Sequence, residues 1–524
     1  MGRGAQGCLV LWLLGSALVG ASAIFSFPAM DGYQKHVHEE CAFTRYPSLC
    51  VEILVGVDSG NQPIDFVSTL VGHAISEAKR THSDFAKFSS QFGAQDAKTA
   101  DSVPGYCQEL TKMSLRRLDQ SLLALKQSPK KNKRDIQTWL SAALTFQQAC
   151  KDTADSLRVS EEFMVQLSKK MDYLSQLVSN PLALVNRITG NSRNNTTRPL
   201  GQDQATFPKW VYARDRKLLQ ATIIKADAVV AKDGSGNYET ISKAIEAASG
   251  KRFVIYVKSG VYREKIRTNK DGITLIGDGR YSTVVVGDDS VAKHTSLPGT
   301  ATFTITGDGF IARDIGFQNT AGPQGQQAVA LSIASDHSVL FRCTISGYQD
   351  SLYALALRQF YRECDIYGTV DFIFGNAAAV FQSCNLVLRR PFTSDDPGQD
   401  TGFSIHKCNI RASSDFSPVK YSYNSYLGRP WKQYSRSVIM ESTIDDCIAS
   451  RGWIEWPGAS SSYLKTLYFA EYSNVGPGAR LSKRVQWPGF HAIGAEKAVE
   501  FTVANLIGGT SWLPATGVTF ISGL

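Results

Sequence analysis

Asp350 and Asp371 stand 21 residues apart in a chain of 524, and the residues around them repeat at the same offset. Laying "CTISGYQD" over "CDIYGTVD" pairs Cys343 with Cys364, Ile345 with Ile366 and Gly347 with Gly368, together with the two acids. Carboxylates at equivalent positions of adjacent repeats would lie about one strand spacing apart, roughly 4.8 Å. Two acids that close cannot both ionise cheaply, so one stays protonated beside an ionised partner, which supplies a proton donor next to a base or nucleophile. Gln349 precedes the first acid and Gln327 sits in "QQAVAL". Their uncharged amides suit a developing oxyanion without neutralising a nucleophile. In "LGRPW", Arg429 can hold one carboxylate ionised through a bidentate contact, and Trp431 offers a face for stacking on a sugar. The plain alternative is that two turn aspartates recur because the turn recurs.

The elements that must position these residues are short. After Gln220 the chain runs through β-rich stretches such as "RFVIYV", "GITLIG" and "STVVVG", punctuated by Gly, Asn and Asp. A cysteine ladder, Cys343, Cys364, Cys384 and Cys408, marks the same repeat. Fixed offsets with strand-and-turn character predict a parallel β-helix, whereas a β-sandwich would not ask for identical residues at a constant period. From Ile64 to Leu177 the period is helical, with Val67, Leu70, Val71 and Ala74, then Leu115, Leu118, Leu122 and Leu125, then Ile136, Leu140 and Leu144 on successive stripes. That pattern predicts an antiparallel four-helix bundle. Cys41 and Cys50 flank "AFTRYPSL", where Pro47 blocks a continuous helix, so a disulfide closing a small hairpin is expected. Cys107 and Cys150 are the second upstream pair, placed to tie two bundle helices together.

The start, "MGRGAQGCLVLWLLGSALVGASA", has the layout of a secretory signal peptide cleaved after Ala23. No later segment is apolar for long enough to cross a bilayer, so no stable membrane association is expected after cleavage. Removing Cys8 with the leader leaves an odd number of the ten cysteines, and at least one free thiol. A net charge of +9 favours an acidic partner, and secretion weighs against nucleic acid. Eight scattered His and no paired CxxC argue against a metal site, and the acid pair needs no cofactor. Between the halves, "NNTT" holds overlapping glycosylation sequons at Asn194 and Asn195, and "RDRKLL" is a basic cluster open to a protease. The expected organisation is a leader over 1–23, a helical domain over 24–185, a linker over 186–219 and a β-helical domain over 220–524.

Five blocks, "GVYRE", "QAVAL", "GYQDSLYA", "GTVDFIFGNA" and "LGRPW", resemble in kind and order the signature blocks of plant pectin methylesterases. The region with "CAFTRYPSLC" is similar to the pectin methylesterase and invertase inhibitor domain that many of those enzymes carry as a pro-region. The resemblance implies a right-handed parallel β-helix, hydrolysis of methyl esters in homogalacturonan, and action in the plant cell wall. It assigns Asp371 as nucleophile, Asp350 as acid/base, Gln327 and Gln349 as oxyanion donors, and Arg429 and Trp431 as substrate contacts. It also implies processing at Arg216, Lys217, Leu218 and Leu219 by a subtilisin-like protease, inhibition by the chain's own helical half, and a Cys364–Cys384 disulfide. Stacked, reduced thiols are the alternative for those two cysteines. Ser351 stands where the family commonly has Thr, and "HTSLPG" leaves a substrate-contacting Thr unplaced. Two rival functions are a pectin glycoside hydrolase or lyase on the same solenoid, and a protein acting chiefly as an inhibitor of pectinesterases or invertases.

Overall fold

The structure, a computed structural model, describes residues 32–57, 66–91, 103–156, 161–188, 225–293, 296–390, 403–456 and 461–524. The leader, the sequons at Asn194 and Asn195, and the basic site Arg216 to Leu219 lie outside them.

The N-terminal half opens with a helical hairpin, α1 (Gly32–Cys41) and α2 (Pro47–Val55). Pro47 sits at the first turn of α2, where a missing N–H costs nothing, and the Cys41–Cys50 disulfide closes the hairpin. Four long helices follow: α3 (Phe66–Gln91), α4 (Val103–Gln127), α5 (Lys133–Ser156) and α6 (Glu161–Arg187). Each buries an apolar stripe, such as Val71, Ala74 and Ala78 on α3 and Ile136, Leu140 and Phe146 on α5. The Cys107–Cys150 disulfide joins α4 to α5. The Asn180 side chain, in α6, accepts from Tyr46 N–H and donates to Tyr46 C=O at 3.1 and 3.0 Å, which fastens the hairpin to the bundle.

One helix departs from the sequence reading. Leu115 and Leu122 of α4 are only half-buried, while Ser114, Arg117 and Ser121 are buried. The reason is a second partner: α4 packs against the β domain as well as against its own bundle, and the polar side of the stripe meets charged groups there.

Among the described residues, the C-terminal half forms three parallel sheets of eleven, eight and five strands. Five successive coils, from Phe253 to Phe374, pass through all three in turn. The coil with strands Ser338–Phe341, Thr344–Ser346 and Leu352–Ala354 stacks in register on the next, with Arg358–Arg362, Asp365–Gly368 and Ile373–Phe374. Ile345 pairs with Ile366 and Leu352 with Ile373, so the 21-residue offset of the sequence is one turn of the solenoid. A first-coil helix, α7 (Ile241–Glu246), closes the N-terminal end. Glu264 of "GVYRE" accepts from Ile241 N–H and Ser242 N–H, both at 2.9 Å, placing an anion at that helix's N-terminus. Short helical turns from Val503 to Thr516 fold back across the middle of the eleven-stranded sheet, laying Val503, Ile507, Trp512 and Leu513 over Val339, Phe360 and Val380.

The expected Cys364–Cys384 bond is not formed: Cys343, Cys364, Cys384, Cys408 and Cys447 are buried free thiols. Each of the first four follows a corner residue with positive φ, Arg342, Glu363, Ser383 and Lys407, which points the thiol inward on every coil. Parallel, in-register rungs keep those side chains parallel. Cys364 Sγ donates to Leu340 C=O at 3.4 Å and Cys384 Sγ to Tyr361 C=O at 3.5 Å, so each thiol is satisfied by backbone. Alkylation in denaturant without reductant should therefore label these five cysteines and leave Cys41, Cys50, Cys107 and Cys150 unlabelled in a mass spectrum; a disulfide-linked Cys364 peptide would contradict the ladder.

Candidate active site

Asp350 and Asp371 each lie two residues ahead of a paired position, Leu352 and Ile373, on adjacent rungs of the five-stranded sheet. The register thus places them side by side, about one strand spacing apart. Both occupy the left-handed backbone region, with φ of 63° and 47°. Such a conformation is costly for a non-glycine residue and is held here by the stacked coils. Asp350 N–H donates to Val370 C=O at 3.1 Å, and Ala328 N–H donates to Gln349 C=O at 3.2 Å. Gln327, Gln349 with Asp350, and Asp371 therefore sit on three successive turns of one ladder. The amides of Gln327 and Gln349 are half-buried, and among the described residues neither side chain makes a hydrogen bond. They are available to an incoming oxygen.

Asp371, the acid of "GTVDFIFGNA", is paired with a cation. Arg429 Nε and Nη2 donate to Asp371 Oδ1 and Oδ2 at 3.3 and 3.0 Å, with both side chains largely buried. A two-point guanidinium contact in a dry setting favours the ionised carboxylate. Arg429 in turn lies over the Trp456 ring at 4.9 Å, and Trp456 meets Trp431 edge to face at 4.4 Å. The indole Nε1 of Trp431 is buried without a hydrogen-bond partner among the described residues. Phe372 packs inward against the solenoid core, and a Cβ on Gly368 would stand 2.1 Å from Phe372 Cβ, so only glycine fits before it.

Four residues were missed by the sequence reading. Tyr353 and Phe374 stack face to face at 4.4 Å beside the acids, and they share the 21-residue offset, which could have found them. Arg389 lies over the Tyr348 ring at 3.9 Å and donates to Gly347 C=O and Tyr348 Oη at 2.9 and 2.8 Å, bracing the loop that leads to Asp350. Trp456 carried no periodic signal at all.

The helical half lies against this face. Tyr353, Leu355, Ala356 and Leu357 join the bundle's own apolar cluster. Asn376, just past the Asp371 loop, donates to Thr145 Oγ1 at 2.7 Å, and Lys432, next to Trp431, pairs with Asp152. Farther along, Arg117 reaches Asp308 at 2.7 Å, and Trp139 Nε1 donates to Asp336 at 3.0 Å. Arg358 pairs with both Asp336 and Asp135 at 2.6 Å. Burial alone would raise the Asp336 carboxyl, but the Arg358 contacts prevail and hold it well below the usual carboxylate range.

Comparison with known proteins finds relatives for both halves of the chain. The pectinesterase family profile matches residues 227–510, and that of the plant invertase/pectin methylesterase inhibitor matches residues 35–184. A protein of Arabidopsis thaliana described as probable pectinesterase/pectinesterase inhibitor 54 is 48% identical over 525 residues, covering 95% of each chain. Pectinesterase 2 of Citrus sinensis is 43% identical over 510 residues, covering 94% of this chain and 96% of its own. Among solved structures, the pectin methylesterase from carrot is 46% identical with a TM-score of 0.55, matching 58% of this chain and 100% of its own.

Proposed function

Since the chain belongs to the pectinesterase family and carries an inhibitor-type domain ahead of its solenoid, we propose that it hydrolyses galacturonate methyl esters in cell-wall pectin with Asp371 as nucleophile. The observation that carries this reading is the Arg429 clamp on Asp371, with Asp350 in register on the adjacent coil.

In the first step an Asp371 oxygen attacks the ester carbonyl. The carbonyl oxygen becomes an oxyanion facing the Gln327 and Gln349 amides, and the C–O bond to the methoxy group breaks as protonated Asp350 gives its proton to the leaving oxygen. Methanol departs and an acyl-Asp371 remains. Asp350, now ionised, takes a proton from water, which attacks the acyl carbon and frees the galacturonate carboxylate and Asp371. Arg429 balances the charge of Asp371 whenever it is free. Trp431 and Trp456 supply apolar surface for the sugar.

Gln349→Ala should lower kcat by about 10²–10³-fold with little change in KM, as loss of one oxyanion donor does. Methanol release measured against pectin concentration checks this; an unchanged kcat would remove Gln349 from the oxyanion site. Shortening of the polymer without methanol would contradict the esterase reading altogether.

The bundle's contacts at Asn376, Lys432 and Tyr353 support a self-inhibited precursor in which α5 bars a polymer from the acid pair. Secretion, removal of residues 1–23, glycosylation at Asn194 or Asn195 and cleavage at Arg216 to Leu219 by a subtilisin-like protease complete the proposed path to an active wall enzyme.

A further inference from the structure

The outer face of the eight-stranded sheet carries a second cleft, of about 500 Å³, on which the proposed reaction does not draw. Its floor follows one in-register row: Gln318 pairs with Ser346, Ser346 with Tyr367, Tyr367 with Val387, and Val387 with Arg411. Consecutive strands put these side chains about 4.8 Å apart, a flat track suited to an extended chain. Gly316 makes room at one side, since a Cβ there would stand 2.6 Å from Arg280 C=O, and Arg280 and Tyr281 are thereby brought over the sheet.

Two independent observations point to an anionic ligand. The lining holds three guanidinium groups, Arg280, Arg389 and Arg411, against a single carboxylate, Asp415. Arg280 is engaged by Asp365 at 2.8 Å, and Arg389 by the Tyr348 loop. Arg411 is exposed and forms no ion pair among the described residues. On the floor, Thr344 is only 6% exposed, and its buried Oγ1 has no hydrogen-bond partner among the described residues. A buried hydroxyl left unpartnered at the base of a polar cleft is a donor awaiting an acceptor.

We propose that this cleft binds a stretch of de-esterified galacturonan, a polyanion, at a site separate from the catalytic loops. The inference rests on the function proposed above, because that reaction turns a neutral ester into a carboxylate at every step and so makes the ligand that the arginines fit. An occupant reaching Arg389 lies one side chain from the loop that carries Gln349 and Asp350, so the cleft would keep the enzyme on pectin it has already modified.

The test is calorimetric titration of the full chain with a fully de-esterified oligogalacturonate, alongside a fully methylated one. The de-esterified oligomer should bind, more weakly as salt rises, and the methylated one should bind at least about tenfold more weakly. Arg411→Glu should weaken binding by about tenfold or more, Arg411→Lys should hold it within a factor of about two, and Thr344→Val should weaken it several-fold. Initial methanol release from fully methylated pectin, read on a cleaved portion of each preparation, should be unchanged by Arg411→Glu. Unaltered affinity in Arg411→Glu would overturn the proposal, as would equal affinity for poly-glutamate or single-stranded DNA with the same Arg411 dependence. No binding of the de-esterified oligomer by wild-type protein that still releases methanol overturns the cleft alone, whereas an absence of methanol from wild-type protein strikes the catalytic reading.

Discussion

Asp371→Ala, introduced into protein cleaved between its halves, should reduce methanol release by about 10⁴-fold or more while circular dichroism and pectin binding stay as in the wild type. The size of the effect follows from the chemistry: without an ionised oxygen on that rung, Asp350 and the two glutamines face a carbonyl that nothing attacks. Stability should survive, since the substitution removes a carboxylate whose backbone is held in place by the register of Leu352 with Ile373. It does leave the Arg429 guanidinium without that partner, which is costly in a largely buried setting. Asp371→Asn is therefore the companion variant, as it keeps the shape and a hydrogen-bond acceptor. Activity within tenfold of wild type in either would remove Asp371 as nucleophile.

Breaking the bundle's hold on the solenoid should have the opposite sign. In the uncleaved chain, Arg117→Ala with Trp139→Ala removes the Arg117 contact to Asp308 and the Trp139 contact to Asp336, keeps the Arg116 contact to Asp308, and leaves the solenoid's own residues untouched. Two desolvated anchors of this kind are worth about 1.5–2 kcal/mol each, so methanol release should rise by about 10²–10³-fold. One anchor alone should do less, because the tether keeps the bundle at a high effective concentration beside its site. Acid should not substitute for the mutations. The folded Asp336 carboxyl titrates well below its unfolded value of about 3.9, so its contribution is fully present above that pH and is lost only as pH falls toward the folded value. Between about pH 5 and 7 this anchor holds, and basal activity of the uncleaved chain should stay low. An uncleaved double variant no more active than the wild type would mean that the bundle does not gate the acid pair.

The solenoid and its acid pair were readable because both are periodic. An offset of 21 residues is one coil, and any two residues sharing it become neighbours on adjacent rungs, which is how Asp350 met Asp371 and how Tyr353 and Phe374 could have been joined. Arg429 was placed by its motif alone, since nothing in its own surroundings marks the 58-residue reach to Asp371. The Cys364–Cys384 bond implied by the family resemblance does not form, because neighbours on parallel rungs point the same way and find backbone carbonyls before each other. The interface between the halves was out of reach. Arg117 with Asp308 and Arg358 with Asp135 are separated by 191 and 223 residues, and each reads locally as an ordinary solvated charge. Only the structure, by burying Ser114, Arg117 and Ser121 of α4, shows that this helix has a second partner.

The division of labour between the two acids is tested most directly by stopped-flow assay of cleaved protein on a galacturonate ester with an activated phenolic leaving group, which needs no proton from Asp350. Asp350→Ala should then release a burst of roughly one equivalent of phenolate per enzyme followed by slow turnover, and Asp371→Ala should release no burst. A burst from Asp371→Ala, or its absence from Asp350→Ala with the fold intact, would contradict the assignment of Asp371 as nucleophile and Asp350 as its acid and base.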